Sequence, residues 1–174
     1  MSAAEITDAA SRLCTACGLC CNGVLFQIVR LQPNDSVKQL ESLGLSVSRK
    51  KREPYFRQPC SFLNDCTCTQ YAARPTRCRL FECQQIKHLA AHEVTESEAR
   101  QRIDEAKRRV AEVERLLLEL GNADVHLPLL ERYLQALETD APELQPLIEE
   151  MSGLNALLNE HFRLEPHGLT QSVP

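Results

Sequence analysis

The chain has 174 residues, a formal net charge of −4 with both signs interspersed, and nine cysteines. That length suits one domain or a small domain with an appendage, and the mixed, mildly acidic charge excludes a general field for nucleic acid or anionic membrane. No apolar stretch approaches the ~20 residues that span a bilayer, since Leu116-Leu117-Leu118 stands inside a charged segment.

Met1 to Leu13 contains Glu5 and Asp8, has Arg12 as its only basic residue, and carries no apolar core of signal-peptide length, so a cytoplasmic protein is expected. Ile6, Ala9 or Ala10, and Leu13 recur at helical spacing and predict a short helix over 2–13 that leads into a cysteine loop. That loop is Cys14-Thr-Ala-Cys17-Gly-Leu-Cys20-Cys21, and Cys60, Cys66, Cys68, Cys78 and Cys83 all follow before residue 84. Disulfide scaffolds belong to short secreted chains with cysteines spread to staple distant loops. In a reducing cytosol a dense thiol cluster instead implies a soft metal such as zinc or iron.

The spacing carries further chemistry. A CxxC turn brings two thiolates to one ion at ~2.3 Å, and Gly18 supplies the freedom for two overlapping CxxC units. Cys14, Cys17 and Cys20 form one ligand loop. Three sulfurs at this spacing crowd a tetrahedral zinc but suit the corners of an iron-sulfur cube whose fourth cysteine comes from elsewhere, so a cluster of the 4Fe-4S kind is preferred to zinc. Cys20 and Cys21 are adjacent and do not suit one ion together, which puts Cys21 at a second metal or outside the ligand set. Nine thiols can supply two four-cysteine sites.

Val24 to Val29 has strand-like composition and ends at Arg30 and the Pro33-Asn34-Asp35 turn; it is expected to be the only strand. Ser36 to Leu45 predicts a brief helix closed by Gly44 with Asp35 as cap. Residues 46–59 show no periodicity and read as a connector, so a bound metal would replace the core that this half cannot build. Within it, Arg49-Lys50-Lys51-Arg52 precedes Tyr55 and Phe56, a combination that would suit phosphate and base stacking, although a solvated loop is the preferred reading.

Cys14-x-x-Cys17-x-x-Cys20-Cys21, Cys60-Ser-Phe-Leu63, and Cys68-x-x-Tyr71-x-x-Arg74-Pro75-x-x-Cys78-Arg79-x-Phe81-x-Cys83 together resemble the YkgJ-type cysteine-cluster family, labelled zinc- or iron-chelating. The resemblance covers residues 14–83 and implies metal ligation by Cys14, Cys17, Cys20, Cys21, Cys60, Cys68, Cys78 and Cys83, with Cys66 as an extra thiol. The chain departs from the family at Gln70, where an apolar residue is common, and at Asn64-Asp65-Cys66-Thr67, where a glycine-bearing turn is common. Independently of the family, clustered thiolates leave negative charge that Arg74 and Arg79 are suited to neutralise beside a cofactor, while Pro75 fixes the turn. Phe62, Leu63, Tyr71 and Phe81 are expected to form a minimal core.

His88 and His92 stand four apart, a spacing that places both on one helix face, but no HExxH pattern surrounds them and a solvated face is preferred. Thr95-Glu-Ser-Glu98 is a capping box, followed by an apolar stripe of Ile103, Ala106, Val110, Val113, Leu117 and Leu120 before Gly121, which predicts one amphipathic helix of ~7 turns. Two more helices are predicted, at Leu127 to Thr139 and at Pro142 to Phe162. The second of these is capped around Asp140-Ala-Pro-Glu143, tolerates Pro146 near its start and bends at Ser152-Gly153; after Arg163 the chain is expected to fray.

The resulting expectation is a mainly α fold: a coil-rich, metal-stapled cysteine module over 1–90, with little strand, joined to an antiparallel helical hairpin or three-helix unit over 91–174. Functionally it is a cytosolic metal-binding protein with an iron-sulfur or zinc centre, whose helical half contacts a protein partner or substrate, without membrane or nucleic acid. One alternative is an iron-sulfur enzyme, because a branch of the resembled family, flagellin lysine N-methylase, implies protein methyl transfer. The compact Cys14-Cys17-Cys20 spacing does not match the common CxxxCxxC loop of radical chemistry. Another is a zinc or iron carrier or sensor. No phosphate loop, GxSxG or dinucleotide fingerprint is present.

Overall fold

The apolar stripe of the first segment meets no helix breaker before Gly18, and in the computed structural model the first helix, α1, runs Ala3–Cys17. The structure describes residues 3–139, 141–142 and 144–165. Because α1 extends beyond residue 13, Cys14 and Cys17 lie on its last turn and not in a loop; Gly18, at φ 73°, then ends it.

The segment expected as one strand over Val24 to Val29 pairs only at its end. β1 (Ile28–Arg30) lies antiparallel to β2 (Tyr55–Arg57), with Val29 opposite Phe56. A second ribbon, β3 (Leu63–Asn64) with β4 (Thr67–Cys68), closes around Asp65 at φ 54°. The connector over 46–59 therefore supplies a strand, and β1 is not the sole one. Composition foretold β1, but a strand requires a partner, and that partner is remote in sequence.

Between the ribbons, α2 spans Val37–Ser42 and is capped by Ser36, whose hydroxyl accepts from the Gln39 N–H at 3.3 Å. Asp35 is not the cap. Its carboxylate accepts from the Gln32 N–H and from the N–H and hydroxyl of Thr76, all at 2.8 Å, and so holds the start of α3 (Thr76–Leu80). A short 3-10 turn, Tyr71–Ala73, precedes α3, and α4 (Gln84–Ala90) follows it.

The capping box of the longest helix forms as read: in α5 (Glu96–Glu119) the Thr95 hydroxyl accepts from the Glu98 N–H while the Glu98 carboxylate accepts from the Thr95 N–H. Thr95→Ala is expected to cost ~1 kcal/mol, read as a lower urea midpoint with unchanged slope. α6 (Leu129–Ala136) is shorter than predicted at both ends, starting after Pro128 at its N-cap and closing at Leu137, and α7 spans Leu144–His161. Pro146 is tolerated in the first turn, where backbone N–H groups lack helical partners. Asp140 and Glu143 of the expected third cap, and the tail after residue 165, lie outside the described residues.

α5 and α7 run antiparallel. Arg109 meets Glu150 at 3.1 Å, whereas Gln85 joins Arg102 to the carbonyl of His161, so one helix rises as the other descends. Gly153 serves this contact: a Cβ there would meet Arg109 Nη1 at 2.7 Å.

The fold is mainly helical, with its long C-terminal helices packed together. Two apolar cores result. The larger gathers Ala9 and Leu13 of α1, Ile86 and Leu89 of α4, the stripe of α5, Tyr133 of α6, and Leu147, Leu154 and Leu158 of α7. It thus draws on both sides of residue 90. The smaller consists of Leu31, Leu40, Leu45, Phe56 and Phe62. Of the expected minimal core, Phe62 is buried, Phe81 stands edge-on to Phe26, and Tyr71 is exposed with the Arg74 guanidinium 3.4 Å above its ring. Tyr71 is therefore not a core residue. Among the described residues no helix is long and apolar enough to cross a membrane.

Candidate metal centre

The thiols sort onto the two cores. Cys17, Cys20 and Cys83 pack against the larger, and Cys60, Cys68 and Cys78 against the smaller. Cys14 and Cys17 share a helix face at three-residue spacing. Beyond Gly18 the chain turns back, with the N–H groups of Cys21 and Asn22 donating to the Gly18 carbonyl at 2.8 and 3.0 Å, which returns Cys20 towards the helix end. Cys83 arrives from far along the sequence as the N-cap of α4.

The second group forms around a backbone bond: the Cys60 N–H donates to the Cys21 carbonyl at 2.8 Å. The β3–β4 ribbon places Cys68 opposite Leu63, whose N–H donates to the Cys60 carbonyl, and α3 presents Cys78. Cys20 thus packs against the larger core, while Cys21 is tied through its carbonyl to Cys60 of the second group.

Electrostatics links the thiols within each group and also across them, since Cys21 raises Cys20 and Cys14 raises Cys21. Burial pushes Cys14 up to about 11 and Cys17 up to about 12, with the charge of Cys83 adding to both. Cys20 is raised further by burial, then by Cys83 and Cys17. Cys21 is pushed up to about 12 by burial and then by Cys60 and Cys68; Cys78 reaches about 12 by burial and then by Cys21, Cys60 and Cys68. Burial also raises Cys60 and Cys83, opposed at Cys60 by the N–H groups of Phe62 and Leu63 and at Cys83 by those of Ile86 and Gln85. The Leu19 N–H acts likewise on Cys17. Amide dipoles aimed at sulfur favour the thiolate, the form that binds metal, and this donor set fits zinc or iron.

Among the described residues no three or more Cys, His, Asp or Glu side chains stand together as a ready ligand set for an ion. A cavity of about 550 Å³ lies between the groups and is lined by Cys14, Cys17, Cys20, Cys21, Cys66, Cys68, Cys78 and Cys83, but not by Cys60.

Arg74 borders this cavity, and its positive charge opposes the rise at Cys14, Cys21 and Cys78. Arg79 is placed elsewhere, with its guanidinium donating to the Thr76 hydroxyl at 3.3 Å. Arg77, not singled out from sequence, lines the cavity instead. It stands between Arg74 and Arg79 in the sequence, and no local pattern sets it apart from them. Cys66, the extra thiol, receives the Lys107 ammonium at 3.0 Å; the same ammonium donates to the Ala16 carbonyl.

The other sequence candidates stand apart. His88 is on α4, but His92 lies beyond that helix at φ 61°, so the two do not share a helix face. Arg49 is paired with Glu41, and Tyr55 and Phe56 beside the basic run are buried, which removes them as stacking platforms for bases.

Residues 13–108, just over half of the chain, match the profile of the family described as "CxxCxxCC: Putative zinc- or iron-chelating domain". The chain belongs to this family. The matched unit of this CxxCxxCC protein is longer than the expected 14–83, and the structure gives the reason: α5 packs on α1, and Lys107 ties it to the end of that helix and to Cys66. No curated protein and no solved structure gave a significant match.

Proposed function

We propose that this CxxCxxCC protein holds two cysteine-ligated centres, one on Cys14, Cys17, Cys20 and Cys83 and one on Cys21, Cys60, Cys68 and Cys78. The observation that carries the reading is that Cys17, Cys20 and Cys83 pack on one core and Cys60, Cys68 and Cys78 on the other, with Cys14 on the helix face of Cys17 and the Cys21 carbonyl bonded to the Cys60 N–H. An iron-sulfur cluster is the preferred occupant of the first group, because three cysteines at two-residue gaps with a fourth from elsewhere match the ferredoxin pattern. Zinc is the alternative for either group. Arg74, next to thiols of both groups, offsets the excess negative charge of the thiolates; Arg79 serves the turn before it by holding Thr76.

The test is iron, zinc and acid-labile sulfide per chain on protein purified without oxygen, with a visible spectrum of the same sample. Iron with matching sulfide and a broad band near ~400 nm supports the cluster; colourless protein with stoichiometric zinc overturns it. Cys66→Ser is expected to leave metal content unchanged, whereas Cys83→Ser should empty one centre. Equal loss in both variants would place Cys66 among the ligands.

A second reading rests on the cavity, whose volume lies within the ~300–1,000 Å³ of small-molecule sites and which opens the thiols to solvent at Cys14. It makes the centre reactive or exchangeable, as in an enzyme such as a protein methyltransferase or in a metal carrier, and not a closed structural site. Calorimetric titration with S-adenosylmethionine tests the first, and the rate of metal loss to a chelator with the fold intact tests the second. The apolar stripe of α5 is covered within the chain, so a protein partner of the helical half would meet what remains exposed, chiefly Leu118 and Val125.

A further inference from the structure

The dipeptide Cys20–Cys21 stands between the two thiol groups and is gripped by one short segment. Gln58 is buried, and its Nε2 donates to the Cys20 carbonyl at 3.1 Å. Two residues later the Cys60 N–H donates to the Cys21 carbonyl at 2.8 Å. Consecutive carbonyls of the dipeptide are thus taken up by residues 58–60, and that segment itself carries a thiol of the second group. The bond to Cys20 sets which way the Gln58 amide is turned, and its Oε1 is left buried without a hydrogen-bond partner. A buried acceptor without a partner is unfavourable, so the Gln58 amide is not placed there by its own solvation. Gly23, at φ 89°, keeps the approach close: a Cβ there would stand 3.4 Å from Gln58 Cβ and 3.2 Å from Pro128 Cα.

We propose that Gln58 is a positioning residue that couples the two centres, so that filling the site of Cys14, Cys17, Cys20 and Cys83 raises the metal affinity of the site of Cys21, Cys60, Cys68 and Cys78, and conversely. The inference rests on the two-centre reading above. A metal on Cys20 immobilises that residue, and the planar peptide between neighbouring Cα atoms ~3.8 Å apart transmits the orientation to Cys21. With the Cys20 carbonyl fixed, the bonds from Gln58 and the Cys60 N–H are held in the register they already have, so the second site loses less freedom when it fills. Coupling of this kind is reciprocal between sites.

Zinc added below stoichiometry to the full chain, without oxygen and counted by native mass spectrometry, reads the coupling directly. Molecules with no zinc or two zinc ions should dominate, with the one-zinc species below the proportion expected of independent sites. Gln58→Met keeps the volume without the donor; it should raise the one-zinc species to that proportion while the chain still takes up two ions. Cys78→Ser removes a ligand of the second site alone, and by reciprocity it should weaken zinc at the first by ~10-fold. A one-zinc species at the independent proportion in the unaltered chain overturns the proposal, as does Gln58→Met behaving like the unaltered chain or first-site affinity unchanged in Cys78→Ser. An unaltered chain that never takes up two zinc ions, and that holds no iron-sulfur cluster beside one zinc when purified without oxygen, overturns the two-centre reading itself, and the coupling with it.

Discussion

Withdrawing metal with a chelator is expected to abolish hydrogen-exchange protection across residues 28–81 while α5 and α7 stay protected. The difference lies in what each part buries. The smaller core has only Leu31, Leu40, Leu45, Phe56 and Phe62 fully inside, and around it the ribbons are two or three residues long. Two-stranded ribbons of that length are not stable alone in water, and a core so small needs a staple. Thiolate ligation supplies one, since structural zinc contributes ~10–16 kcal/mol to such modules. Without it, opening free energies over 28–81 should approach the ~0 kcal/mol of frayed segments. Cys14 and Cys17 ride on α1, whose Ala9 and Leu13 belong to the larger core, so that helix should outlast the ribbons. Native-like protection over 28–81 in the stripped chain would show that metal is not what holds this segment.

Leu117→Ala should destabilise the chain by ~2–5 kcal/mol, a large share of the ~5–15 kcal/mol by which domains are stable. Leu117 is fully buried in the stripe of α5, and truncation leaves a cavity that the packed helices cannot collapse to fill. Leu118, one residue later and 62% exposed, is the control. Leu118→Ala should change stability by less than ~0.5 kcal/mol. Urea unfolding followed by helical circular dichroism measures both; equal effects would mean that α5 is not seated as described.

Much of the helical half was legible because its signals are local. Thr95 and Glu98 are three residues apart, and the α5 stripe repeats within the helix, so the cap and the buried face follow from short-range rules. The small half was less legible because its determinants are remote. β1 is a strand only because Tyr55–Arg57 lies beside it, and Asp35 left the cap of α2 to Ser36 because Thr76, far along the chain, offered two donors. Tyr71 read as core by its type, but it lines the cavity with the Arg74 guanidinium over its ring, a placement that residue type alone does not reveal.

The amino-acid sequence by itself determined the chemistry: eight thiols at family spacing in a chain with a helical second half, which suffices for a zinc- or iron-chelating cysteine cluster. Spacing is a local property, and metal preference follows from the kind and number of donors. Only the tertiary structure decided that Cys17, Cys20 and Cys83 pack on one core and Cys60, Cys68 and Cys78 on another. Which sulfurs can meet depends on the return of Cys83 to the end of α1 and on the Cys60 N–H reaching the Cys21 carbonyl. These are contacts between segments tens of residues apart, set by packing on two separate cores, and no local pattern encodes them.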